Sequence, residues 1–134
     1  MTFAERYGPW AVVTGASSGI GAEFARQLAA QGVRPVLVAR RRDRLEAVAE
    51  EVAAAGVGSR VVVSDLTADG SCQRVLDETS DLDVGLLVNN AGFGMSGDYH
   101  RLDPGRQVKM TVLNCVVPVL LTNHFLPKLR AGGH

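Results

Sequence analysis

The chain has 134 residues, a length typical of one compact domain, so we expect a single domain over residues 1–134. Its 14 basic residues balance 14 acidic ones. A formal net charge of zero gives no long-range attraction for nucleic acid or an anionic membrane surface. Both are therefore excluded as expected partners, and a small molecule is favoured.

We expect the chain to have neither a secretory signal nor a membrane span. Glu5 and Arg6 stand near the N-terminus, without the apolar stretch behind a basic start that marks a secretory signal. The apolar stretch at residues 115–121 is interrupted by Pro118 and is shorter than the roughly 20 residues that span a bilayer. We therefore expect a cytoplasmic protein with no membrane contact.

Short apolar runs alternate with helical patterns along the chain. Four runs have strand character: residues 10–14, 35–39, 61–63 and 84–88. The helical patterns that follow them are residues 20–32, 45–56, a short helix that Asp69 is expected to cap, and about 103–130. Because parallel strands need crossover connections, this alternation predicts an α/β fold with a parallel sheet and helices on both faces.

A glycine-rich turn, residues 14–21, lies between the first strand and the first helix. There a phosphate would meet free backbone N–H groups and the positive end of the helix dipole. The spacing is Gly-x-x-x-Gly-x-Gly, which differs from the common dinucleotide fingerprint, so an ordinary loop is the alternative. The candidate cofactor-binding residues are Gly15, Ser17, Ser18, Gly19, Ile20 and Gly21.

The second strand ends where NAD-binding versions of such folds place an acid for the ribose hydroxyls. Here Ala39 is followed by Arg40 and Arg41, and a guanidinium suits a phosphate monoester better than a hydroxyl. This favours NADP(H) over NAD(H). A solvated helix start is the alternative, but cations oppose the dipole there, so three successive arginines suggest that an anion offsets them.

Four motifs in order give the chain a resemblance to the classical short-chain dehydrogenase/reductases. They are the glycine turn, Asp65-Leu66 after the third strand, Asn89-Asn90-Ala91-Gly92 after the fourth, and Asn114 in the long helix. The resemblance covers essentially the whole chain. It implies a Rossmann-like, three-layer αβα fold with strand order 3-2-1-4, expected to stop before a fifth strand. It also implies NADP(H)-dependent interconversion of carbonyls and alcohols.

The resemblance assigns roles to the residues after the third and fourth strands. It implies that Asp65 accepts a hydrogen bond from the adenine amino group, with Leu66 beside the ring. It places Asn90, Ala91 and Gly92 near the nucleotide, where this segment also braces the sheet. The alternatives are a turn or capping aspartate and a plain polar turn.

Asn114 resembles the family's catalytic asparagine, whose main-chain carbonyl holds a water in the proton relay. Pro118, four residues later, has no N–H, so the usual helical bond to that carbonyl cannot form. The alternative is a tolerated kink with a buried asparagine.

The rest of the family's active site does not occur in this sequence: a serine on the strand after the long helix, and a Tyr-x-x-x-Lys pair on the next helix. The tyrosines are Tyr7 and Tyr99, and the lysines are Lys109 and Lys128. Without the acid that protonates the carbonyl, we expect the chain to be inactive alone, as a truncated enzyme. A non-catalytic nucleotide-binding or interaction module is the alternative.

The expected partners are the dinucleotide cofactor and further copies of the chain. The long helix, about residues 103–130, is apolar on several sides and resembles the family's subunit-contact helix. The fourth strand, residues 84–88, would form an apolar sheet edge. We therefore expect a homo-oligomer formed through the helix, the strand or both.

Overall fold

The computed structural model describes residues 1–132, and four of its segments form one parallel sheet in the order β3-β2-β1-β4. The strands are β1 (Trp10–Thr14), β2 (Arg34–Ala39), β3 (Arg60–Val63) and β4 (Val84–Val88). All four runs of strand character are therefore strands, and the predicted strand order is confirmed.

Helices follow the strands as the sequence predicted, and one further helix precedes β1. They are α1 (Phe3–Tyr7), α2 (Gly19–Ala30), α3 (Arg42–Ala54), α4 (Ser71–Glu78), α5 (Pro104–Thr111) and α6 (Val117–Ala131). A π-helical segment, Val112–Val116, joins α5 to α6, and Tyr99–Arg101 form a 3-10 turn. Sequence reasoning missed α1 and the 3-10 turn, because neither is long enough to show a helical period.

The expected cap of α4 is wrong. The residue preceding α4 is Gly70, not Asp69, and it has a φ of 73°. Glycine adopts this left-handed conformation without steric cost, so the chain turns sharply there and the helix begins later than Asp69 would place it.

Helices cover both faces of the sheet. Alternate strand residues point to opposite faces, so Val13 and Leu37 pack against α2 and α3, whereas Val12 and Val36 pack against α4 and α6. The predicted three-layer αβα arrangement is confirmed. Because all strands are parallel, the segments that follow β1, β2, β3 and β4 meet at one edge of the sheet, where such folds bind ligands.

The long helical segment has an apolar composition. By length and composition alone, the 28 residues of Pro104–Ala131 could cross a membrane. One such helix is a weak indication of a membrane span. Val117, Leu121 and Phe125 are buried in the second layer of the core, whereas most of the apolar stretch is exposed. The expectation that the protein has no membrane contact stays a prediction.

Candidate functional site

A cleft of about 800 Å³ lies at the edge where the four strands end. Its volume is within the range of small-molecule and cofactor sites. Ten of the predicted binding residues line it: Gly15, Ser17, Ser18, Arg40, Arg41, Asp65, Leu66, Asn90, Ala91 and Gly92. The structure therefore brings together residues that are up to 77 positions apart in the sequence.

The glycine turn and the start of α2 form one end of the cleft. Gly15 and Gly19 have φ values of 67° and 55°, a conformation that favours glycine. A Cβ on Gly21 would clash with the carbonyl oxygen of Gly15, so α2 packs directly on the turn. Gly19, Ile20 and Gly21 belong to α2 and are not among the residues that line the cleft.

The first turn of α2 is open to a ligand. Ser18, at the N-cap, makes no side-chain hydrogen bond to the helix. The Ile20 side chain is 71% exposed. The N-terminal N–H groups of a helix need an acceptor from outside its hydrogen-bond ladder, and an anion suits them because of the helix dipole. The turn therefore has the donors that a phosphate requires.

Thr14 and Asn90 hold the glycine turn against the end of β4. The amide nitrogen of the Asn90 side chain donates to the carbonyls of Thr14 and Gly15, at 3.0 and 3.3 Å. The Thr14 hydroxyl, in a residue that is 1% exposed, accepts from the backbone N–H groups of Asn90 and Ala91, both at 3.0 Å. These bonds fix the position of the turn relative to the sheet.

The arginines after β2 differ in their partners. Arg41 pairs with Asp43 at 3.2 Å, and Arg42 pairs with Glu46 at 3.7 Å. The chain thus supplies a carboxylate for each of these two arginines. The inference that an outside anion offsets the three arginines stays a prediction. Arg40 forms no hydrogen bond or ion pair within residues 1–132, and it lines the cleft.

Asp65 is an ionised acid inside the cleft. One of its oxygens, Oδ1, accepts from the Thr67 hydroxyl at 2.7 Å and from the Thr67 N–H at 3.0 Å. The hydroxyl bond, and then the N–H bond and the positive charges of Arg40 and Lys109, hold the pKa of this carboxyl below its usual value. Asp65 is thus a turn aspartate as well as a cleft residue. Leu66 beside it is buried, at 5% exposure.

Asn114 lies in the π-helical segment and is not among the residues that line the cleft. Its side-chain amide exchanges two hydrogen bonds with the backbone of Phe93: Nδ2 donates to the carbonyl at 2.8 Å, and Oδ1 accepts from the N–H at 3.1 Å. A Cβ on Gly92 would lie 2.7 Å from the same Oδ1. Asn114 is exposed, so the alternative of a buried asparagine is wrong. It ties the segment after β4 to the long helix.

Sequence reasoning missed the part of the cleft that α5 and the π-helical segment form. Arg106, Lys109 and Leu113 project into it from α5 and the π segment, and the Arg106 guanidinium lies 5.6 Å from the centre of the Phe93 ring. Spacings of three and four residues mark one helix face, so a signal was present, but only the folded chain shows what that face meets.

Among residues 1–132 no group of three or more His, Cys, Asp or Glu side chains could hold a metal.

The sequence profile of the short chain dehydrogenase family matches residues 9–134. The chain therefore belongs to this family of oxidoreductases, and the resemblance drawn from its motifs is confirmed.

Individual relatives sharpen the comparison. The chain is 32% identical to the 7beta-hydroxysteroid dehydrogenase of Clostridium sardiniense, over 97% of this chain and 50% of that protein. It is 37% identical to the very-long-chain 3-oxoacyl-CoA reductase of Podospora anserina, over 92% of this chain and 38% of that protein. The chain thus spans half or less of the length of these curated relatives.

One similar solved structure contains a bound cofactor. It is a metagenomic short-chain oxidoreductase in complex with NADP, 39% identical, with a TM-score of 0.80. The alignment covers 95% of this chain and 59% of that one.

Proposed function

We propose that this chain is the cofactor-binding part of an NADP(H)-dependent oxidoreductase that interconverts carbonyls and alcohols. The observation that carries the proposal is the cleft itself, which the glycine turn and Arg40 line together. The NADP complex of the metagenomic relative supports the choice of cofactor.

The residues present fit a dinucleotide carrying a 2′-phosphate. The glycine turn and the first turn of α2 offer uncapped N–H groups for the pyrophosphate. Arg40 offers a guanidinium without an ion-pair partner among the described residues, which suits the 2′-phosphate. Asp65 would accept from the adenine amino group, with Leu66 beside the ring. Arg41 lines the same space, but its pairing with Asp43 leaves Arg40 as the principal contact.

The bound nicotinamide would supply or accept the hydride, and the chain's own residues bind and orient it. Asn90, Ala91 and Gly92 lie where the segment after β4 meets the glycine turn. Asn114 positions Gly92 and Phe93, and we propose that its carbonyl holds a relay water as in the family. Neither Tyr7 nor Tyr99 lines the cleft, so these residues do not provide the proton donor. We therefore propose that the chain alone binds cofactor but lacks ordinary turnover.

The surface of the long helix supports an oligomer. Val108, Val119 and Leu120 are 63%, 58% and 50% exposed. Exposed apolar side chains on one helical segment favour contact with another protein surface. We propose a homo-oligomer formed through this helix. The cytoplasmic location stays a prediction.

Replacement of one arginine tests the assignment of cofactor. Removing a charge-assisted contact costs about 1.5–3 kcal/mol, so Arg40→Ala should weaken NADPH binding roughly tenfold or more and leave NADH binding nearly unchanged. Fluorescence titration of both cofactors measures this, with Arg130→Ala on the exposed part of α6 as the matched control.

Two results would contradict the proposal. One is wild-type protein that holds NADH as tightly as NADPH, and the other is Arg40→Ala protein with unchanged NADPH affinity. In the same preparation, turnover of ketones at ordinary enzyme rates would contradict the proposed absence of a proton donor.

A further inference from the structure

One face of α5 adds positive charge to the cleft that Arg40 also lines. Arg106 and Lys109 are three residues apart and both line the cleft. The start of α5 is fixed, because the Asp103 side chain accepts from the Arg106 N–H at 2.8 Å and Pro104 occupies the first turn. The two cations are therefore carried by a well-anchored helix turn.

Lys109 is the less engaged of these two cations. The Arg106 guanidinium lies over the Phe93 ring at 5.6 Å. The Lys109 ammonium forms no hydrogen bond or ion pair within the described part of the chain, and the residue is exposed. Its charge is therefore available to whatever occupies the cleft.

Asp65 lies in the field of two cations from different elements of the fold. Arg40, after β2, and Lys109, on α5, both lower the pKa of its carboxyl, after the larger effect of the Thr67 hydrogen bonds. Arg40, Asp65 and Lys109 also line the same cleft. One carboxylate thus sits among two cations that come from separate elements of the fold.

This arrangement has a consequence for an anion bound at Arg40. A phosphate monoester carries between one and two negative charges at neutral pH, and an ionised carboxylate nearby repels it. A second cation close to that carboxylate offsets the repulsion. A cofactor without the 2′-phosphate places no such charge there and gains little from the second cation.

We propose that Lys109 is a specificity-determining residue that favours the 2′-phosphorylated cofactor by compensating the charge of Asp65. The inference rests on the proposed binding of NADP(H) in this cleft. It adds to Arg40 a second contributor, on α5, which none of the recognised motifs contains.

The chain offers a matched pair of variants, because Lys109 and Lys128 are its only lysines. Lys128 lies on α6, 6.0 Å from the Phe125 ring, and does not line the cleft. Lys109→Met should weaken NADPH binding roughly threefold to fivefold, the upper part of the range for an exposed charge pair. NADH binding should change less, Lys109→Arg should keep the preference, and Lys128→Met should bind as wild type. Added salt should reduce the effect.

Titration of NADPH and NADH against these variants and Arg40→Ala separates the possible outcomes. If Lys109→Met weakens both cofactors equally or neither of them, while Arg40→Ala weakens NADPH, the inference is overturned and the proposed function stands. If wild-type protein shows no preference for NADPH, both are overturned. Because Lys109 is exposed, the fold should survive its replacement, and the thermal unfolding midpoint of each variant checks this.

Chemical protection gives a readout that does not depend on a substitution. Acetylation of the two lysines, followed by mass spectrometry, should show NADPH slowing modification of Lys109 and leaving Lys128 unaffected. NADH should protect Lys109 less. Equal labelling of Lys109 with and without NADPH would overturn the inference.

Discussion

The two walls of the cleft are built in different ways. One wall, formed by the glycine turn and the end of β4, consists of backbone groups held by partly buried hydrogen bonds with Thr14 and Asn90. The other, formed by the residues after β2 and by α5, consists of exposed charged side chains such as Arg40 and Lys109. Substitution on the first wall should therefore damage the fold, whereas substitution on the second should change which ligand is preferred.

The physical reason for this difference is the cost of burial. A buried N–H or carbonyl must be hydrogen-bonded, so the turn, Thr14 and Asn90 depend on one another. An exposed guanidinium or ammonium is stabilised by water and by a few nearby charges, so its replacement affects local electrostatics more than stability. Substitution of the charged side chains can thus change the cofactor preference while the glycine turn stays unchanged.

The largest effect should come from Gly21→Ala in the backbone wall. The added Cβ would clash with the carbonyl oxygen of Gly15 and lie 2.5 Å from the amide nitrogen of Asn90. We expect a loss of about 1–3 kcal/mol in the free energy of unfolding, as for other overpacked sites, together with weaker binding of both cofactors. Urea unfolding and cofactor titration measure the two effects.

Gly58→Ala is the matched control for that variant. Nothing lies within 4 Å of a Cβ at Gly58, and the residue does not have the left-handed φ that favours glycine. Its unfolding free energy should change by no more than about 0.5 kcal/mol. If the two alanine variants proved equally stable, the tight packing of α2 on the turn would be contradicted.

A smaller effect is expected from Thr67→Val in the side-chain wall. The Thr67 hydroxyl bond is the largest cause of the lowered pKa of Asp65, so its loss should raise that pKa towards the ordinary value. NMR titration of the carboxyl carbon measures the shift, with Thr122→Val as a control outside the cleft. An unchanged Asp65 pKa would show that the hydroxyl does not govern the charge of this wall.

The sign of the accompanying stability effect follows from the direction of the pKa shift. A carboxyl whose pKa is lower in the folded state stabilises the protein above the unfolded-state pKa, and that contribution is lost as the pH falls through the folded value. The Thr67→Val protein should therefore lose less stability on acidification than the wild type, although it starts from a lower value above that range.

The fold was largely predictable because it depends on local patterns. The runs at residues 10–14 and 84–88 are apolar enough to identify buried strands, and glycine separates strand from helix after β1. Deviations arose where the backbone left regular geometry. Because Gly70 precedes α4, the helix begins later than predicted. The π-helical segment interrupts a helix that the sequence pattern predicts to be continuous.

The candidate site was predictable only where motifs mark it. Arg41 and Asp43 are two residues apart, and the structure pairs them. The sequence does not show whether Arg41 pairs with this carboxylate or joins Arg40 in binding a ligand. Lys109 was missed for another reason. Which face of α5 meets the cleft depends on the long-range packing of that helix, and a single sequence carries no record of it.

The most direct measurement is an NMR titration of the isotope-labelled chain with two fragments of the cofactor, 5′-AMP and 2′,5′-ADP. Both should shift the backbone amides of residues 15–21. Only the fragment with the 2′-phosphate should also shift the signals of Arg40 and Lys109. Identical shifts from the two fragments, or shifts confined to residues outside the cleft, would contradict the account.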